Sequence, residues 1–167
     1  QQTIAAMFLA CLAIVAYIWI RFGSLRYGLA AIGATIHDLA IALAFLAFSH
    51  YISASPIGAA LGIHTFRIDL AQVAAILTLI GFSLNDTIVV FDRIRENRGK
   101  LSYASATVIN NAINQTISRT VLTSSTAAIA VFILYVIGGA GVHGFAFTML
   151  VGVVFGTYSS VAIASPL

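Results

Sequence analysis

Long apolar runs, each closed by a basic or turn-forming cluster, constrain this chain more than any other feature. A membrane-spanning helix needs about 20 mainly apolar residues. Stretches 3–20, 27–48, 70–91, 119–137 and 145–164 each come close to that length. The first ends in Trp19, Ile20 and Arg21, an aromatic residue beside a basic flank, as at a membrane interface. Asp69 stands where the N-cap of the third run would be, and Asn97-Arg98-Gly99 marks a helix stop. Composition removes the soluble alternative. Only 8% of residues are charged, against roughly 25% in soluble domains. The reading is an all-α membrane protein: one transmembrane domain, 1–167, of five spanning helices.

The connections carry their own signals. Segment 49–67 holds Ser, Gly, Pro56 and two histidines without sustained periodicity, and is expected to be a loop. Between Gly99 and Arg119, Leu101, Ala104, Val108, Ala112 and Ile113 recur at helical spacing, with Asn110, Asn111 and Asn114 opposite. That pattern predicts a cytoplasmic amphipathic helix over about 100–117, lying on the membrane surface. Arg21 and Arg26 fall in the first turn; Arg93, Arg95, Arg98, Lys100 and Arg119 fall in or beside the third; the other two connections hold only Arg67. Positive charge stays inside, so the C-terminus is expected in the cytoplasm and Gln1 outside. The net charge of +3 is thus a topology signal and not a nucleic-acid footprint. An external N-terminus with no visible signal peptide suggests a fragment of a longer protein.

A charge in the centre of a spanning helix costs about 2.5–3.5 kcal/mol on the insertion scale, so each one is a functional hypothesis. Asp86 lies inside the third run, in Ser83-Leu84-Asn85-Asp86-Thr87. A carboxylate there is held between desolvation, which favours its neutral form, and a nearby cation, which favours its charged one. Arg119 opens the fourth run. It is either a fixed counter-charge for Asp86 or a side chain snorkelling to the interface. Asp38 follows His37 midway along the second run and suits a proton relay or a packing network equally. Asn85, Thr87, Thr116 and Thr123 are the supporting polar residues, with Thr116, Arg119, Thr120 and Thr123 read as one polar face. Gly152 and Gly156 form a small-xxx-small pair for helix packing. Asp92 with Arg95 and Glu96 with Lys100 have helical pairing distances. His50, His64 and His143 fall on predicted loops without metal-ligand spacing, so no metal site is expected. Cys11 is alone in an apolar run and reads as a buried thiol.

Two segments also carry a resemblance. Gly81-Phe82-Ser83-Leu84-Asn85-Asp86-Thr87-Ile88-Val89-Val90-Phe91-Asp92-Arg93-Ile94-Arg95-Glu96-Asn97 closely resembles the signature of the SecF family. Ile113-Asn114-Gln115-Thr116-Ile117-Ser118-Arg119-Thr120-Val121-Leu122-Thr123-Ser124 is a second match, and Gly156-Thr157-Tyr158-Ser159-Ser160 and His37-Asp38 also fit. SecD proteins are similar but lack the Ser-Arg-Thr element. The resemblance implies half of an RND-superfamily helical bundle in the bacterial inner membrane, corresponding to helices two to six. It implies an auxiliary, non-enzymatic subunit of the Sec translocase, working with SecD and the SecYEG translocon. A preprotein would be gripped by an external domain outside this chain. Protons would be the coupling ion, with no other cofactor, and Asp86 and Arg119 would conduct them. A structural scaffold without proton conduction and a small-molecule RND exporter fragment are the competing readings.

Overall fold

The computed structural model describes residues 9, 12–13, 16–21, 25–101 and 103–165. The first predicted span lies mostly outside these residues, as does Cys11; residues 16–21 are helical. Helices joined by short connections make up the described remainder. Helix α1 runs Leu25–Ser53, α2 Pro56–Leu61, α3 Leu70–Arg98 and α4 Ala106–Ile137. Helix α5, Ala140–Ser159, continues into a π-helical turn, Ser160–Ala164. Four described helices are long and apolar enough to cross a membrane.

Local chemistry sets the ends of α3. The Asp69 carboxylate accepts a 2.9 Å hydrogen bond from the Gln72 amide, satisfying one of the free N–H groups of the first turn. At the other end Gly99, at φ +54°, takes the left-handed conformation that side chains disfavour. The chain leaves the helix there, about two turns beyond the predicted end of the apolar run.

Two expectations change. The segment predicted to lie on the surface, about 100–117, and the run 119–137 share one continuous helix from Ala106 to Ile137. Nothing in 106–137 breaks a helix: there is no Gly or Pro, so the polar first turns and the apolar remainder propagate together. The loop between α1 and α3 also contains a helical turn, α2. Ser55 caps it, accepting from the Gly58 amide at 3.1 Å, and Pro56 occupies its first turn.

Helices α3 and α5 form the centre of the bundle, with α1 and α4 packed on either side of the pair. Gly152 and Gly156 make the central contact possible. A Cβ at Gly152 would sit 2.3 Å from Leu79 Cδ1, and one at Gly156 would sit 3.2 Å from Ser83 Cβ. With no hydrophobic drive between helices in lipid, such close backbone approach is a principal source of association.

Candidate functional site

Both acidic residues of the predicted spans are buried. Asp38, on α1, is 2% exposed and Asp86, on α3, is 3% exposed. Neither is left bare. Asp38 accepts hydrogen bonds from the Ser83 hydroxyl of α3 and from the Ser159 hydroxyl of α5 at 2.7 Å. His37 Nδ1 lies 3.1 Å from the second carboxylate oxygen. Three elements therefore converge on one side chain. Gly156 lies beside this site, where a Cβ would come within 3.2 Å of Ser83 Cβ.

Asp86 lies one turn beyond Ser83 on α3 and faces α4. Its carboxylate accepts from the Ser124 hydroxyl at 3.3 Å. Ser124 is in turn 2.6 Å from Thr157 Oγ1 of α5, and that hydroxyl also lies 2.7 Å from the Val153 carbonyl. Thus α5 serves both carboxylates, Asp38 directly through Ser159 and Asp86 through the Thr157–Ser124 pair. The supporting hydroxyls stand at helical spacing for a physical reason. Ala112, Thr116, Thr120 and Ser124 recur every four residues and form the buried stripe of α4.

The predicted residues divide accordingly. Asp38, Asp86, Thr87 and Thr116 are buried, whereas Asn85, Arg119 and Thr123 lie on the exposed surface of the described chain. Thr116, Thr120 and Ser124 share the inward face of α4, and Arg119 and Thr123 do not join it. Thr116 bonds to the Ala112 carbonyl at 2.9 Å and Thr123 to the Arg119 carbonyl at 2.9 Å. The Thr87 hydroxyl has no hydrogen-bond partner. Among the described residues no carboxylate lies within 4 Å of the Arg119 guanidinium. Gly152 and Gly156 lie at the α3–α5 contact described above.

Three smaller expectations are corrected. Asp92 meets Arg21 at 3.2 Å instead of Arg95, whose guanidinium donates to the Arg21 carbonyl. Glu96 meets Arg93 at 2.7 Å, one turn before it, instead of Lys100, which lies beyond Gly99 and outside the helix. His50 is in the last turn of α1 and His143 in the first turns of α5, so only His64 is on a loop. The residues that the sequence reading passed over are Ser83, Ser124, Thr157 and Ser159. Ser83 and Ser124 stand four residues from Thr87 and Thr120, but a hydroxyl in a helix can equally bond its own backbone.

The chain as a whole has counterparts among known proteins. The family model described as protein export membrane protein SecD/SecF, C-terminal, matches residues 1–167. A protein translocase subunit SecF from Desulfurispirillum indicum is 46% identical over 171 residues, covering 100% of this chain and 49% of the relative. The SecF subunit from Koribacter versatilis is 43% identical over 168 residues, covering 100% of this chain and 38% of the relative. This chain therefore spans half or less of these curated relatives. Among solved structures, SecDF in its Super-membrane-facing form is similar with a TM-score of 0.72 and 38% identity, over 93% of this chain and 19% of that one.

Proposed function

This chain belongs to the C-terminal family of the SecD/SecF protein-export membrane proteins, and from that premise we propose that it is the part of a protein translocase subunit that couples export to proton flow. The observation that carries the reading is the pair of buried carboxylates, each held by hydroxyls from a neighbouring helix. Buried ionisable groups in a membrane domain mark proton and ion pathways. The fold is half of an RND-type bundle in the bacterial inner membrane, with its basic loops in the cytoplasm. Its partners are SecD, the SecYEG translocon and, through segments outside this chain, the preprotein.

The hydroxyls give Asp86 a way to exist in two protonation states without losing hydrogen bonds. When Asp86 is ionised, Thr157 donates to Ser124 and Ser124 donates to the carboxylate. When a proton arrives, the carboxylic acid becomes the donor. Asp86 then donates to Ser124, Ser124 turns its hydrogen to Thr157, and Thr157 turns its own to the Val153 carbonyl 2.7 Å away. Every hydroxyl keeps an acceptor, so the cost of an unsatisfied buried group is avoided in both states. The charge on Asp86 disappears in the second state, and with it the attraction of Arg119 on α4. Helices α3 and α4 then re-pack, and this movement is the output that the rest of the translocase uses.

The test uses the full-length protein with SecD. Gradient-dependent preprotein export is measured for Asp86→Asn and wild type, with SecD association checked by co-purification. Normal association with export reduced to the gradient-independent level is expected. Unchanged export would make Asp86 structural and leave a scaffold in its place.

A further inference from the structure

A second polar layer lies at the other end of the bundle, where α4 ends and α3 and α5 begin. Two hydrogen bonds fasten the connection between α1 and α3 to this end. Tyr135, in the last turn of α4, donates to the Leu61 carbonyl at 3.0 Å. His143 Nε2, on α5, donates to the Gly62 carbonyl at 2.9 Å. The Tyr135 and His143 rings stack with centroids 4.2 Å apart, and Phe66 stacks on Phe147 at 4.9 Å. The connection held in this way forms one wall of a cavity of about 600 Å³, within the roughly 300–1,000 Å³ of small-molecule sites.

Hydrogen-bond donors line this cavity. Helix α5 starts at Gly139 without a side-chain cap, and Ala140 and Gly141 of its first turn are on the lining. First-turn amides have no partner within their own helix, and such a helix end favours anions. A Cβ on Gly141 would meet nothing within 4 Å, so there is room to approach these amides. Gln72 adds a buried donor. It is 1% exposed and lines the same cavity. Its Oε1 accepts from the Thr148 hydroxyl at 2.7 Å. Its Nε2 is turned to Gly144, also on the lining, where a Cβ would lie 2.6 Å away. That nitrogen has no hydrogen-bond partner, a costly arrangement unless a ligand accepts from it.

The charges narrow the ligand. Arg67 and Asp69 both line the cavity, and they are the only Lys, Arg, Asp or Glu residues in 54–69 and 138–139. Neither forms an ion pair among the described residues. A guanidinium suits a phosphate. The Asp69 carboxylate accepts the Gln72 amide and has capacity for further donors. One cation and one anion in the same cavity fit a zwitterion better than a bare anion, which Asp69 would repel. Around them the surface is apolar: Ile68, Leu70, Val136 and Ile137 are between 62% and 83% exposed. Helices long enough to cross a membrane present that apolar surface to acyl chains and the polar cavity to headgroups.

We propose that this cavity binds a phospholipid whose zwitterionic headgroup carries a primary ammonium, the phosphatidylethanolamine class. The phosphate is held by Arg67 and the first-turn amides of α5, and the ammonium by Asp69. Gln72 Nε2 donates to a headgroup oxygen, and the acyl chains run along Leu70 and Ile137. A choline headgroup has no N–H to give Asp69, and a glycerol headgroup has no cation. The site does not rest on the proton reading, because it requires only that this end of the bundle stands at the level of the headgroups.

The test uses the full-length protein purified with SecD and titrated in detergent with synthetic lipids of identical acyl chains. Bound lipid is counted by native mass spectrometry, and variants in this chain separate its site from those of SecD. Phosphatidylethanolamine is expected to bind the parent more tightly than phosphatidylcholine or phosphatidylglycerol. Arg67→Gln should weaken it roughly tenfold, one decade of Kd, and Arg67→Lys should recover part of that loss. Asp69→Asn keeps a good N-cap and should reduce phosphatidylethanolamine to the affinity of phosphatidylcholine. Unchanged melting temperatures would show that both variants fold. Water-soluble glycerophosphoethanolamine should compete for the site at concentrations where inorganic phosphate does not. Equal affinity of the parent for the three lipids would overturn the proposal, as would unchanged phosphatidylethanolamine binding by Arg67→Gln and Asp69→Asn. Competition by inorganic phosphate alone would assign the cavity to a free anion and overturn the lipid.

Discussion

Helices α3 and α4 are of similar length and similarly apolar, yet they use polar residues in opposite ways. On α3, Gln72, Ser83, Asp86 and Thr87 are all buried, and the helix ends in a capped, charged turn. On α4 only a stripe of small residues is buried, and Arg119, Thr123 and the apolar side chains around them are exposed. The central helix holds the group whose charge can change. The flanking helix holds the group whose charge cannot, since a guanidinium stays protonated. Burying the fixed charge would give a permanent cost with no second state to offset it. In the proposed coupling, Arg119 on the surface of α4 would be a fixed charge whose attraction for Asp86 is lost when Asp86 is protonated.

Removing charge from the two helices should therefore have unequal consequences. Asp86→Asn should abolish gradient-dependent export, the largest effect expected here. Arg119→Gln should lower it by a smaller factor, because no carboxylate among the described residues lies within 4 Å of its guanidinium. Equal losses would mean that Arg119 contacts a carboxylate in another state of the cycle. The relay between the helices is probed by Thr157→Val against Thr157→Ser. Valine removes the hydroxyl that lets the chain reverse, and serine keeps it. Export with a changed pH profile is expected for valine only, and matching profiles would place Thr157 in packing alone.

How far the sequence revealed this contrast depends on what each residue can do locally. The cap at Asp69, the stop at Gly99 and the apolar runs were legible because each acts through its own backbone or a few neighbours. Asp38 and Asp86 were legible as charges inside apolar runs. Their partners were not. Ser83, Ser124, Thr157 and Ser159 acquire meaning only when α1, α3, α4 and α5 converge, and in isolation each could bond an i−4 carbonyl, as Thr157 also does. Arg119 and Thr123 misled for a related reason. Spacings of three and four both count as one face on paper, but the buried stripe 112, 116, 120, 124 takes only the fours. The continuity of α4 across residue 118 was missed because a change of polarity was read as a change of element.

Stability measurements sharpen the same comparison at lower energy. Gly152→Val forces branched carbons into the space of Leu79, and overpacking of this kind costs about 1–3 kcal/mol. It should give a clear loss of melting temperature in detergent. Ser159→Ala removes one of the two hydroxyls on Asp38. Side-chain hydrogen bonds between membrane helices average about 0.6 kcal/mol with a maximum near 1.7, and this one, to a carboxylate, belongs at the upper end. A Ser159→Ala protein as stable as the parent would mean that Ser83 and His37 suffice to hold Asp38.

The smallest effect belongs to the charged end of α3. Arg93 and Glu96 form a 2.7 Å pair whose side chains are 38% and 67% exposed. Exposed pairs of this type are worth about 0.2–1 kcal/mol and weaken with salt. Glu96→Gln should thus shift the melting temperature barely above error, and the shift should vanish at high ionic strength. The polar layers inside the bundle are shielded from salt, so Ser159→Ala should keep its effect under the same conditions. If high salt erased both differences alike, the carboxylate layer would be open to solvent, and the contrast between a buried switching charge on α3 and exposed fixed charges elsewhere would not hold.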